Sequence, residues 1–166
     1  MKVFIIASLT ADGYIGRHSK HLVDWSSKED KQLFIALTKQ AGVIVMGSNQ
    51  FATIGRALPG RRNIVYTSRP AHITAEGVET TAEAPQMLLE RLNDEGVEQV
   101  AICGGTTIYD MFMQAGLIDE LHLTIEPIVF GSGLSLFSQP LANKLELLDY
   151  KKLNDHTLYA HYKVIK

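Results

Sequence analysis

The stretch VIVMGSNQFATIGRALPGRRNIVYT, residues 43–67, decides the fold class. Val43–Met46 is an unbroken apolar run closed by Gly47. It is too short for a helix and lacks the alternation of a half-exposed strand, so it reads as a strand covered on both faces. Asn49–Ile54 is long enough for a short helix, Gly55–Gly60 holds two glycines and a proline and reads as a loop, and Asn63–Thr67 is a second β-rich run. Strand, helix and strand in so short a space predict parallel strands joined by a crossover.

The alternation continues on both sides. Upstream, Val3–Leu9 reads as a buried strand, Thr10–Asp24 as a polar loop with two glycines, and Lys28–Ala41 as a helix stopped by Gly42. Downstream come a weak strand at Val78–Thr80, a helix at Ala84–Asn93, and the strand Val100–Cys103 running into Gly104-Gly105 and a helix at Thr107–Ala115. From Glu120 only strands follow, at Glu120–Val129, Leu145–Lys152 and His156–Val164. This order predicts one α/β domain over residues 1–166, three layers thick. A mostly parallel central sheet would end in an antiparallel C-terminal edge hairpin, with helices on both faces.

Composition narrows the function classes. The 166 residues carry 16 Lys+Arg against 18 Asp+Glu, a formal charge of -2, so neither nucleic acid nor an anionic membrane is an expected partner. No apolar stretch approaches spanning length, and MKVFIIASLTADGYIG lacks the long hydrophobic core of a signal peptide. The lone Cys103 cannot form an internal disulfide, which fits a reducing, cytoplasmic location. The six histidines show no ligand spacing, so no metal is expected.

Three groups of residues could carry chemistry. Gly104-Gly105 at a strand-to-helix junction, with the hydroxyls of Thr106 and Thr107, would let a phosphate approach free helix N–H groups. Arg56, Arg61, Arg62 and Arg69 fall within one loop–strand–loop unit, and the Pro59-Gly60 turn aims Arg61, whereas Arg62 reads as a solvated side chain. Asp30 shares a helical stripe with Phe34, Leu37 and Ala41, placing a carboxylate toward the core, where it needs a partner or a function. Ser27 with Asp30 has the spacing of a capping box, but so does Ser26 with Glu29, and the latter pair would leave Asp30 free.

The order of motifs resembles the dihydrofolate reductase family. The resemblance rests on Val45-Met46-Gly47, the block from Phe51 through Ile54-Gly55-Arg56 and Leu58-Pro59-Gly60-Arg61 to Asn63-Ile64, and Ile6-Ala7 with Asp12, Ile15 and Gly16. Trp25 with Asp30, Gly104-Gly105 with Tyr109, and Leu123-Thr124 complete it, so that it spans most of the chain to about Phe137.

The resemblance implies a small-molecule substrate, dihydrofolate, reduced with NADPH by a monomer or homodimer. Asp30 would be the pocket carboxylate that holds a pterin, assisted by Thr124 and Trp25. Ile6, Ala7, Phe34, Ile54, Leu58, Cys103 and Tyr109 would line the substrate pocket, and Arg61 would pair with the glutamate carboxylate of folate. Ala7, Ile15, Gly16, Gly47, Ser48, Asn49 and Gln50 would contact cofactor. So would Gly104, Gly105, Thr106 and Thr107, with Thr67, Ser68 and Arg69 at the 2′-phosphate. Departures are Ser48 in place of a basic residue, Lys31 in place of an apolar one, and no proline beside Trp25. Ser26-Ser27 and Glu126-Pro127 with Gly131 and Gly133 look more like the related reductases of riboflavin biosynthesis, which reduce a ribosylaminopyrimidine phosphate with NADPH.

Overall fold

The continuous apolar runs of the sequence become the inner strands of one sheet. The computed structural model describes residues 1–166. In chain order its strands are β1 (Lys2–Thr10), β2 (Tyr14–Gly16), β3 (Val43–Gly47), β4 (Arg62–Tyr66), β5 (Val78–Thr81), β6 (Gln99–Ile102), β7 (Glu120–Glu126), β8 (Leu134–Ser135), β9 (Lys144–Lys152) and β10 (Leu158–Ile165). The helices are α1 (Lys28–Ala41), α2 (Ser48–Ile54), α3 (Pro85–Asp94) and α4 (Thr106–Gln114). Eight strands form a sheet ordered β5-β4-β3-β6-β1-β7-β10-β9, and β2 pairs separately with β8. The first six of the eight run parallel, while β10 is antiparallel to both β7 and β9. This is the expected α/β architecture with its antiparallel C-terminal edge.

Alternation along β1 splits the core between the two faces. Val3, Ile5, Ala7 and Leu9 join a cluster with Leu88 and Leu92 of α3 and Phe112 of α4. Phe4 and Ile6 join Ile44, Met46, Phe51 and Val65, against which Phe34 and Leu37 of α1 pack. Each large side chain so buried contributes about 1.5–3 kcal/mol. Burial on both faces explains why these strands show no polar alternation.

Several boundaries differ from the sequence expectation, each for a local reason. The loop Thr10–Asp24 contains β2, a three-residue strand whose partner β8 lies 118 residues further on, from Gly16 to Leu134. Strand β7 ends at Glu126 rather than Val129, because Pro127 brings no N–H to the ladder. Strand β10 starts at Leu158 rather than His156, because Asn154 Oδ1 accepts from the N–H groups of His156 and Thr157 and closes a turn there. The N-cap of α1 is Ser27, whose Oγ accepts from the Asp30 N–H, and not Ser26 with Glu29. Only the backbone of Asp30 is used in that cap.

Arg62 is not a solvated side chain either. It pairs with Glu79 at 2.6 Å and also with Glu95, and Arg91 joins both acids and Glu83. The network is partly exposed, so each pair contributes little to stability, but it withdraws Arg62 from anion binding.

Candidate active site

The C-terminal ends of β1, β3, β4 and β6 open into two adjoining cavities, as expected for a parallel sheet. One, of about 540 Å³, contains Asp30 and Arg61; the other, of about 490 Å³, contains Ser48, Thr67 and the start of α4. They share the walls Ile15, Val23, Gln50 and Gly105, so two ligands placed in them would touch.

Asp30 sits in the first turn of α1, 7% exposed, where the helix dipole favours a negative charge. Its Oδ2 accepts from Ser8 Oγ at 2.6 Å, and no protein donor meets Oδ1. Around it stand Ile6, Ala7, Phe34, Ile54, Leu58 and Tyr109, so a charged carboxylate looks into an apolar chamber. A ligand with two adjacent N–H donors could meet it by charge-assisted bonds. Ser8 was missed by the sequence reading, although it is the one polar residue within the apolar run Val3–Leu9. Thr124 is buried directly across the β1–β7 ladder from Ser8, behind the cavity wall. Tyr109 is anchored by its hydroxyl, which donates to the Ile6 carbonyl at 2.8 Å.

The helix carrying Asp30 is held from the far side. Glu126, 2% exposed, accepts through Oε1 from both the N–H and the hydroxyl of Ser27, and through Oε2 from Thr157 Oγ. Glu126→Gln keeps the volume but turns an amide N–H₂ toward one of these donors. It is therefore expected to lower the unfolding free energy by about 1–3 kcal/mol. Denaturant unfolding checks this, and an unchanged midpoint would mean that Glu126 does not hold α1. Trp25 lies beside this cluster, edge-on to Phe130 at 5.3 Å, and lines a third, shallower hollow rather than the Asp30 chamber.

Arg61 lies at the mouth of the Asp30 chamber. Its Nη1 donates to Thr38 Oγ1 at 2.8 Å and its Nε to the Pro59 carbonyl at 3.0 Å, which fixes the guanidinium. The buried Asn63 holds the loop itself, accepting from the Leu58 N–H and donating to the carbonyls of Leu58 and Arg61. Lys31, Lys39 and Arg56 share this cavity, giving four cations around one opening.

Cys103 lines the same chamber as a neutral thiol, because burial pushes its pKa up to about 12. Iodoacetamide at about pH 8 should leave Cys103 unmodified in the native protein and alkylate it fully in denaturant, as mass spectrometry would read. Rapid native alkylation would mean that the chamber opens far more than this packing allows.

The second cavity is walled by polar groups and the start of a helix, which could hold a phosphate. Gly105 caps helix α4 without a side-chain bond, so the N–H groups of Thr106 and Thr107, at the cavity wall, have no helix partner. A Cβ on Gly105 would meet nothing within 4 Å, leaving a cradle open to a ligand. At Gly47, by contrast, it would meet Ile108 at 3.1 Å, so that glycine serves packing. Gly16, Ser48, Asn49, Thr67, Ser68 and Thr107 add polar groups to the wall. Tyr66 also lines this cavity, and its hydroxyl is buried without a partner, with a pKa raised to about 12 by that burial. Thr106 also lines this cavity, although its Oγ1 donates to the Ser135 carbonyl, whereas Arg69 is outside the lining and Ala7 lines the Asp30 chamber. Gly104 lines the Asp30 chamber instead, and its peptide to Gly105 is cis. A pyrophosphate flanked by sugars and rings fits this set of donors.

Comparison with known proteins places the chain among similar sequences. Residues 2–132 match the dihydrofolate reductase family. The chain is 37% identical over 124 residues to dihydrofolate reductase type 3 of Salmonella typhimurium, covering 75% of this chain and 71% of that protein. In structure it is similar to a Shewanella sp. PV-4 protein provisionally described as a riboflavin biosynthesis protein, with a TM-score of 0.87, 20% identity and full coverage of both chains. RibD of Acinetobacter baumannii aligns at a TM-score of 0.82 and 17% identity over 99% of this chain, which spans 58% of that protein. At such identities the structural likeness concerns the fold.

Proposed function

The chain belongs to the dihydrofolate reductase family, and on that premise we propose that it reduces 7,8-dihydrofolate to 5,6,7,8-tetrahydrofolate. One NADPH and one proton are consumed and NADP⁺ is released. NADPH, when bound, supplies the hydride that goes to pterin C6, while N5 takes the proton from solvent.

The observation that carries the reading is the pairing of Asp30 with Arg61 in one chamber. An apolar slot with a carboxylate inside and a fixed arginine at its mouth suits a flat aminopyrimidine ring ending in a carboxylate tail. Asp30 would hold the 2-amino group and ring N–H, orienting the ring and favouring its protonated form by its charge. Ser8 keeps that carboxylate in one rotamer. Ile15 and Val23, on the wall shared with the second cavity, would exclude water from the contact between the two rings. The free N–H groups of α4 and the hydroxyls of Thr67 and Ser68 support a phosphate-bearing cofactor in that cavity.

A second reading is favoured by one observation. Lys31, Lys39, Arg56 and Arg61 are four cations against the two carboxylates of a folate glutamate, and they suit a ribosylaminopyrimidine phosphate. Loss of NADPH absorbance, followed in parallel with each substrate, separates the two. The folate reading expects kcat/KM on the order of 100-fold higher for dihydrofolate. Preference for the phosphorylated pyrimidine would overturn it.

A further inference from the structure

Strand β7 carries a group of side chains that the proposed reaction does not use. Glu120 and His122 point to the same face of the sheet, since they are two residues apart, and His161 of β10 lies directly opposite His122 in the antiparallel register. The Oε2 of Glu120 is 2.9 Å from His161 Nε2 and 3.5 Å from His122 Nε2, and the three atoms lie within 4.8 Å of one another. Ligand atoms around a tetrahedral zinc stand roughly 3.4 Å apart, given bonds of about 2.0–2.1 Å. The cluster is therefore already close to that spacing.

The outer atoms are also held. Lys2 Nζ binds Glu120 Oε1 at 3.0 Å, leaving Oε2 for an inner partner, and the Tyr159 hydroxyl is 2.7 Å from His122 Nδ1. A partner on the far ring nitrogen is what orients a ligating imidazole. His122 is buried, while the side chains of His161 and Glu120 keep 20% and 14% of their exposure, so an ion has an entry path and room for a water ligand.

We propose that Glu120, His122 and His161 form a binding site for one zinc-class divalent cation with an open fourth position, tying β7 to β10. Two imidazoles and one carboxylate suit zinc or cobalt rather than calcium or magnesium, which prefer all-oxygen shells. The rings now lie nearly parallel, 4.1 Å apart. Binding turns them toward each other so that both Nε2 lone pairs reach the ion. Sequence spacing does not reveal the site, because His122 and His161 meet only through the strand register.

Calorimetric titration of the chain with Zn²⁺, and with Co²⁺ while its visible absorption is recorded, tests the site. One equivalent should bind, with the intense bands of a four-coordinate cobalt centre and paramagnetic shifts on the His122 and His161 ring protons. His161→Ala should weaken binding on the order of 100-fold, and Tyr159→Phe by about 10-fold through the unheld His122 ring. Absence of stoichiometric binding, or binding that survives in His161→Ala, would overturn the site. So would shifts confined to His18 and His21, whose rings stand 5.6 Å apart in the loop before α1. The wild-type cobalt spectrum decides the matter even if a variant fails to fold.

Discussion

Asp30→Asn is expected to lower kcat with dihydrofolate by about 10²- to 10³-fold near neutral pH and much less at about pH 5. Asparagine has the same shape and can still accept from Ser8, so the chamber should stay intact. What disappears is the negative charge opposite the pterin. An amide cannot form two charge-assisted bonds to adjacent N–H donors, nor favour a protonated ring by its field. Loss of a buried charge partner costs several kcal/mol, and each 1.36 kcal/mol is tenfold in rate. In acid the substrate gains its proton without help, so the deficit should shrink as pH falls. The unfolding midpoint, read on the same sample, should stay put or rise, because a buried charge has been removed. An unchanged rate at neutral pH would take Asp30 out of the reaction.

The inward placing of Asp30 was open to inspection of the sequence because one helical stripe combined an acid with Phe34, Leu37 and Ala41. The parallel sheet was legible for a similar reason: strands covered on both faces leave continuous apolar runs, as in Val43–Met46 and Val100–Cys103. What escaped was decided by partners distant in the chain. Strands β2 and β8 have too few residues for any periodicity, and they exist because the segments meet. Arg62 looked like a solvent residue until Glu79 and Glu95 were brought beside it. Nothing in the sequence sets Thr38 apart, yet its hydroxyl donates to the Phe34 carbonyl at 2.6 Å and accepts from Arg61. Ser8, Asn63 and Glu126 belong with them. Ser8 fixes the Asp30 carboxylate, Asn63 fixes the loop that carries Leu58 and Arg61, and Glu126 fixes Ser27 at the start of the helix that carries Asp30.

That supporting layer sets the size of the second large effect. Arg61→Ala is expected to raise KM for dihydrofolate by about 30- to 900-fold, equivalent to about 2–4 kcal/mol, with little change in kcat. Two donors of the guanidinium are already spent on Thr38 and Pro59, and Asn63 fixes the loop that carries it. The remaining N–H groups are therefore presented without further ordering, and preorganisation of this kind makes a contact strong. On the proposed reading the tail would lie at the mouth and hydride would move at the inner end, so the contact should be as good in the ground state as in the transition state. Its loss should therefore appear in KM. Lys31, Lys39 and Arg56 keep the opening positive, so the loss should fall short of abolishing binding. NADPH affinity, measured by quenching of Trp25 fluorescence, should not change, since Arg61 lines only the Asp30 chamber. A drop in NADPH affinity would put the arginine in the wrong cavity. An equal loss with a pteridine that lacks the glutamate would show that Arg61 does not read the carboxylate.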